Sequence, residues 1–399
     1  MEYSLIFFLI FSIITILNGY EYYDDMRAVK QQMLRKYNVD AVPKSSSNVS
    51  LVVNATLYVM ALSGLDEKHQ ILSMSVFWVI RWQDVIFKWD NTKYKNVKEM
   101  TVKVRDLWVP DIFVVNALKD MRVSRLDENE YVNALSDGHM TWYPSTELMT
   151  SCSVDISKYP FDIQVCSIRI ESWYHSSKHF VLKPGNPGID FSESHFLENG
   201  EWKVTNLTSF AYNYTDYLDN TTFYTGIKYL ITLKRRSSYH LLTTGFPFFI
   251  LMFLNTLSVI IPTECGEKLG FCMAQFLTVI VFLTLVAQSM PVSSLTISHF
   301  TLVIASQILI SGFSTLIVAV SIYFQNKSEN KKPPLFLQIL LTPNLYLQNV
   351  TKNPEKEEIE EHTITWKHFD ERVNCILRVV LFINIGVSIS LYAIFVLIN

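Results

Sequence analysis

Two of the five cysteines, Cys152 and Cys166, enclose thirteen residues, Ser-Val-Asp-Ile-Ser-Lys-Tyr-Pro-Phe-Asp-Ile-Gln-Val. In an oxidising compartment two such cysteines pair. Closing a loop of this size stabilises a fold by ~3 kcal/mol on the chain-entropy model. Cys265, Cys272 and Cys375 fall at or within apolar runs and read as reduced thiols. No His/Cys spacing suggests a zinc site. The sequence also has no glycine-rich phosphate loop and no nucleophile–base arrangement of recognisable spacing. The residues therefore argue against an enzyme and call for no metal or cofactor.

A second constellation has helical spacing. Counting from Glu267 places Gly270, Ala274, Leu277, Val281, Thr284 or Leu285, and Gln288 on one face. Such a face can line water, with a carboxylate at one end, apolar levels in the middle and an amide at the other. A helix buried in a bundle shows the same stripe, and spacing alone leaves both readings open.

These residues are positioned by elements of two kinds. The chain has 399 residues, 49% of them apolar, but the long uncharged runs lie in the second half. Leu241–Ile261, Leu269–Met290, Phe300–Phe324 and Ile376–Ile398 each approach or exceed the ~20 residues a helix needs to cross the hydrocarbon of a bilayer. Backbone polar groups must be satisfied internally there, so the spans are predicted helices. Pro247, near the start of the first, is expected to kink it or leave a carbonyl unpaired.

Leu5–Leu17 has the length of a signal-peptide core, with cleavage expected near Gly19; an uncleaved anchor is the alternative. Export agrees with Asn-X-Ser/Thr triplets at Asn48, Asn54, Asn206, Asn213 and Asn220, all candidate glycosylation sites. An even number of spans then returns the carboxyl end outside. The loop from about Gln325 to Glu371 becomes cytosolic, and its Lys327, Lys331, Lys332, Lys352 and Lys356 fit the positive-inside bias.

The first half reads as an antiparallel β-sandwich. Leu51–Met60, Ser73–Arg81 and Cys166–Trp173 alternate or run β-branched and aromatic, with turns expected at Ser63-Gly64 and Asp137-Gly138. Asp25–Tyr37 reads as a helix. The predicted organisation is a signal peptide (1–19), a β-sandwich (20–238), three membrane helices (239–324), a cytosolic loop (325–374) and a fourth membrane helix (375–399). The fold class is thus α+β in a membrane protein. A net charge of −3 shows no nucleic-acid footprint.

Cysteines thirteen residues apart around Pro160-Phe161-Asp162, followed by four spans, resemble the Cys-loop family of pentameric ligand-gated ion channels. Trp108-Val-Pro110-Asp111 with Asn116, Asp66-Glu67-Lys68, Trp82-Gln-Asp84 with Trp89, Gly138 to Pro144, Ser172-Trp173 and Gly266-Glu267-Lys268 agree in order and spacing. The chain is most similar to a non-alpha nicotinic acetylcholine receptor subunit.

That resemblance implies assembly with four further subunits, identical or different, around a pore in a lipid membrane. Five copies of the second span would place Leu277 and Val281 as apolar rings able to close by dewetting, and Glu267 as a carboxylate ring at the cytosolic mouth. The family's anion channels carry a Pro-Ala insertion absent here, so cation selectivity is expected. Gly270 and Ala274 replace hydroxyl-bearing residues, and Gln288 stands where many cation channels have an acid.

The family binds a small cationic agonist between subunits in an aromatic box. A quaternary ammonium donates no hydrogen bond, so ring quadrupoles hold it, by ~2 kcal/mol or more when desolvated. The resemblance puts Trp173 at the centre, Tyr217 and Tyr224 on the capping loop, and Phe77 on the complementary face. Each could instead be an ordinary core or surface ring. Val115 replaces a tyrosine of cholinergic principal subunits, and Asp219-Asn220 stand where alpha subunits carry adjacent cysteines. Glu67, Arg235, Phe161 and Asp162 match positions that couple the site to the gate, although Glu67 and Arg235 could form an ordinary surface ion pair. Two functions stay open: a channel opened by acetylcholine or a related amine, or an accessory subunit with no agonist site of its own.

Overall fold

The computed structural model describes residues 22–94, 96–124, 129–185, 196–215, 221–258, 260–262, 266–288, 290, 296–325 and 366–397. The predicted signal peptide, Tyr217, Asn220, Cys265 and most of the predicted cytosolic loop lie outside the described residues. The chain forms two compact units: one runs through Val154 and resumes over Ile163–Arg235, and the other joins Asp155–Asp162 to the chain from Arg236 onward.

The first unit opens with a helix, α1 (residues 22–34), shifted a few residues earlier than the predicted Asp25–Tyr37. Among the described residues eleven strands follow: β1 (Leu51–Asp66), β2 (Ile71–Gln83), β3 (Glu99–Lys103), β4 (Phe113–Val114), β5 (Tyr131–Leu135), β6 (His139–Trp142), β7 (Ser145–Ser151), β8 (Ile163–Glu171), β9 (Phe180–Pro184), β10 (Trp202–Thr215) and β11 (Phe223–Arg235). One sheet runs β3-β5-β6-β2-β1-β9 with β7 also on β2; the other runs β10-β11-β8-β4.

Side-chain alternation explains the two layers. Along β8, Gln164, Cys166, Ile168 and Ile170 are buried, while Ile163, Val165 and Arg169 face out. This is the period of two that makes a half-buried strand. Trp78 on β2 and Tyr229 on β11 meet edge to face at 5.6 Å. The Tyr229 hydroxyl donates to the Ala55 carbonyl of β1 at 2.8 Å, so a buried phenol ties the sheets together without an unpaired polar group. Cys152 and Cys166 are disulfide-bonded.

The expected turn at Asp137-Gly138 joins β5 to β6, and Gly138 has φ +89°, which glycine adopts without steric cost. The expected turn at Ser63-Gly64 does not form. The chain stays extended to Asp66, and the register with β2 shifts between Leu62 and Gly64. A glycine inside a strand here marks a bulge rather than a reversal.

Among the described residues the second unit contains four helices: α2 (Ser238–Leu257), α3 (Lys268–Gln288), α4 (His299–Gln325) and α5 (Trp366–Leu397). The first three are long and apolar enough to cross a membrane, with mean hydropathy of 1.4, 2.3 and 2.1. The predicted fourth span falls on α5, apart from Ile398, which is outside the described residues. A π-helical turn at Leu241–Gly245 precedes Pro247 in α2. Proline cannot donate to the carbonyl four residues back, and a widened turn is how the helix absorbs the mismatch.

Leu377 and Leu381 of α5 pack against Ile310 and Ile317 of α4. Phe248 of α2 stacks on Phe282 of α3 at 5.8 Å. Gln307 of α4 donates to Asn384 of α5, so apolar packing is supplemented by a polar tie between helices.

Candidate functional site

Trp173 lies just beyond the end of β8, so the sheet ladder does not hold it. Asp111 does. Its carboxylate accepts from Ser172 Oγ at 2.9 and 3.0 Å, from the Tyr174 backbone N–H at 2.9 Å and from His175 Nδ1 at 2.7 Å. The Trp-X-Pro-Asp segment is fixed in turn. Trp108 is buried with its ring edge-on to Trp82 at 6.1 Å. Asn116 donates to the Ser167 carbonyl at 2.7 Å and accepts from the Arg169 N–H at 3.0 Å.

Held this way, the Trp173 side chain is 48% exposed. Phe113 of β4 stacks on it at 4.6 Å with the planes 10° apart. The Arg122 guanidinium lies over Phe113, 5.9 Å from the ring centre. One indole face is therefore covered by the protein's own ring, and that ring already has a cation of its own.

The wall beside Trp173 comes from β10 and β11. Tyr214 and Tyr224 are cross-strand partners with rings stacked at 5.4 Å. The Tyr214 hydroxyl donates to the Ser172 carbonyl at 2.9 Å, which joins Tyr224 to the tryptophan segment. Tyr212 donates to Glu171 and lies across Gly226, where a Cβ would come within 2.6 Å of the ring. A larger residue at this position would push the Tyr212 ring aside. Burial first, and Glu171 second, push the Tyr212 and Tyr214 phenols above their ordinary range, so both stay neutral donors.

Tyr212, Tyr214 and Phe113 are not among the positions to which the family resemblance points. The alternation Tyr212-Asn-Tyr214 puts both rings on one strand face and was the available signal for the first two. Phe77 is not in this group. It sits on β2 in the other sheet, stacked on its β1 partner Tyr58 at 4.8 Å and 7°.

At the end of β11 the Arg235 side chain is 1% exposed. Its Nη1 stands 2.7 Å from Glu67 Oε1 and 3.0 Å from Glu201 Oε1, with the guanidinium 4.2 Å over Trp202. The guanidinium is thus buried, Glu67 is partly buried and Glu201 is exposed. Phe161 and Asp162 belong to the second unit, where Asp162 is buried. There the tip of the disulfide loop is seated on helix starts. Tyr159 Oη is 3.0 Å from His240 Nδ1, its ring lies 6.1 Å from Phe300, and His299 N–H donates to the Ser157 carbonyl at 3.1 Å.

Within the second unit α3 has two contrasting faces. Glu267, Gly270, Ala274, Leu277, Val281, Thr284, Leu285 and Gln288 are all exposed, while Lys268, Cys272, Gln275, Val279 and Val286 are buried. The stripe that spacing left ambiguous is thus uncovered within one chain. Gly270 has no neighbour near an added Cβ, so packing does not demand glycine there. Asn48, Asn54, Asn206 and Asn213 are exposed, as an attached glycan requires. Among the described residues no group of three metal-ligating side chains is found.

A two-sheet domain carrying an exposed aromatic wall, followed by membrane-length helices, is the build of a membrane receptor. Residues 26–237 match the neurotransmitter-gated ion-channel ligand binding domain, and residues 244–374 match the neurotransmitter-gated ion-channel transmembrane region. The chain belongs to the neurotransmitter-gated ion-channel family, which consists of plasma-membrane receptors and not of enzymes.

Relatives include the neuronal acetylcholine receptor subunit alpha-2 of Homo sapiens, 27% identical over 67% of this chain and 50% of its own length. The alpha-4 subunit of Gallus gallus is 29% identical over 67% of this chain and 43% of its own. The chain spans about half the length of the curated relatives it matches. The sandwich is therefore the extracellular domain, and the chain is related to nicotinic receptors at low identity.

Proposed function

We propose that the chain is one subunit of a five-membered cation channel, opened by a small amine or quaternary ammonium bound between extracellular domains. The observation that carries this reading is the uncovered stripe of α3. A carboxylate at Glu267, apolar levels at Leu277 and Val281, and an amide at Gln288 are exposed along one helix face. Five such faces around an axis give a charged mouth that concentrates cations and an apolar constriction that closes by dewetting. Lys268 is buried on the opposite face and so does not cancel the Glu267 charge in the lumen.

Trp173 is the ligand's central ring in this reading, flanked by Tyr224 and Tyr217 on the capping loop, with Phe77 supplied by the neighbouring subunit's complementary face. Acetylcholine is the first candidate, followed by other biogenic amines and choline-like quaternary ammonium compounds. Arg235 and Glu67, with Phe161 and Asp162, couple site to gate. The signal peptide over 1–19, the cytosolic loop over 325–374 and glycans on the exposed sequons complete the proposal.

A second reading has a specific basis. Phe113 covers one face of Trp173, and Val115 stands where principal subunits carry a tyrosine, which together leave a reduced box. Such a subunit would complete a mixed pentamer without binding agonist itself.

Voltage clamp of cells expressing the chain alone, challenged with acetylcholine, choline, betaine and monoamines, separates the two. The proposal expects an inward sodium current to at least one of them. Silence despite surface expression, with current restored by co-expressed partner subunits, would instead establish the accessory role.

A further inference from the structure

The β10-β11-β8-β4 sheet sets one cross-strand row beside Trp173. Phe113 of β4 pairs with Glu171 of β8, Glu171 with Gly226 of β11, and Gly226 with Tyr212 of β10. Directly paired residues point to the same face, with their Cβ atoms ~5 Å apart. Gly226 has no side chain, so Tyr212 lies across it and donates to the Glu171 carboxylate. Tyr214 and Tyr224 pair two residues further along the same strands. At the other end of the row Phe113 stacks on Trp173. Glu171 is thus the charged member of this row, partly buried between the Trp173 stack and the tyrosines.

A carboxylate offers about four lone-pair positions. Tyr212 supplies one proton to them, and the Tyr214 proton goes to the Ser172 carbonyl instead. Arg169, two residues earlier on the same strand face, forms no ion pair with Glu171 among the described residues. We propose that Glu171 determines ligand specificity at this wall: its carboxylate accepts N–H bonds from the ligand's ammonium, so primary and secondary amines are favoured over quaternary ones. The inference rests on the reading of the Trp173 wall as an amine site, and it sets amines that carry N–H ahead of acetylcholine among the candidates. Both kinds of cation can lie on an aromatic face. Only an N–H cation also donates to a carboxylate, and such charge-assisted bonds are roughly twice as strong as neutral ones. A quaternary nitrogen presents methyl groups to the carboxylate and keeps only the longer-range Coulomb attraction.

Ethanolamine, its N-methyl and N,N-dimethyl derivatives, and choline form a series that differs only in the methyl groups on nitrogen. Dissociation constants for these four, measured by saturation-transfer NMR on the purified full chain in nanodiscs, test the assignment. Glu171→Gln keeps an acceptor for Tyr212 and removes the charge. It is expected to raise the ethanolamine constant roughly tenfold or more, the effect of losing a hydrogen bond to a charged group. Choline should weaken less than about threefold, because only the Coulomb attraction across a hydrated site is lost. The loss should shrink stepwise across the series. Tyr212→Phe frees the carboxylate from the phenol and should leave ethanolamine bound as tightly as in the wild type or more so.

If Glu171 served only to anchor Tyr212, Tyr212→Phe would reproduce Glu171→Gln, and all four ligands would weaken alike. That pattern would overturn the proposal, as would an ethanolamine constant unchanged in Glu171→Gln. Binding of choline that Trp173→Ala abolishes, with no ligand depending on Glu171, would keep the amine site and discard the role of Glu171. Wild-type protein that binds none of the four would refute the amine site itself, and the inference with it.

Discussion

Arg235→Ala is expected to destabilise the extracellular domain by ~3–5 kcal/mol, the usual cost of breaking a buried pair by removing one partner. The guanidinium is almost wholly out of water and serves Glu67, Glu201 and the Trp202 ring together. Its loss leaves the Glu67 carboxylate, whose side chain is only 18% exposed, without that counter-charge. Glu201→Gln should cost under ~1 kcal/mol, because that side chain is 45% exposed and water screens its pairing. Arg235→Lys should fall between, since a point charge cannot serve two carboxylates and a ring with one planar fork. Thermal unfolding of the purified chain, read beside surface biotinylation, ranks the three. Equal melting temperatures for Arg235→Ala and Glu201→Gln would mean that burial of the arginine carries no energetic weight.

The second large effect is expected at Trp173. Removing the ring in Trp173→Ala should raise the half-maximal agonist concentration roughly 30-fold, the equivalent of ~2 kcal/mol of desolvated cation–π attraction. Trp173→Phe should lose less, since a ring face remains. The effect should grow with the number of methyl groups on the ligand nitrogen, because an agonist that donates hydrogen bonds has other ways to be held. Concentration–response curves for a primary and a quaternary amine on both variants decide this. An unchanged response in Trp173→Ala would move the ligand elsewhere on the domain. If Phe113 limits the box by covering one indole face, Phe113→Val should shift the same curves while leaving the Asp111 contacts to Ser172, Tyr174 and His175 in place.

The sequence made the architecture legible where one local pattern decides the outcome. Alternation along β8 and long uncharged runs at α2, α3 and α4 each answer to a single physical demand, burial of one face or crossing of a bilayer. Ser63-Gly64 forms a bulge where a turn is expected, because glycine serves both. Only the pairing of β1 with β2 distinguishes them. The wall around Trp173 was legible in part. Trp173 and Tyr224 are named by the family resemblance, whereas Tyr214 joins them through the register of β10 on β11.

Phe113 and Arg122 were harder still, because stacking across β4 and the segment that follows it depends on tertiary contacts with no periodic signature. The two faces of α3 show the same limit. Spacing drew the stripe, but only the packing of neighbouring helices reveals that Glu267 and Leu277 are uncovered while Lys268 is enclosed.

The central claim is that the exposed face of α3 lines a cation pathway. Its most direct test is the reversal potential of the ligand-evoked current under opposed sodium and chloride gradients, in the wild type and in Glu267→Ala. The account predicts reversal near the sodium equilibrium potential for the wild type and a shift toward the chloride potential when the carboxylate ring is removed. Reversal near the chloride potential in the wild type, or no shift in Glu267→Ala, would contradict it.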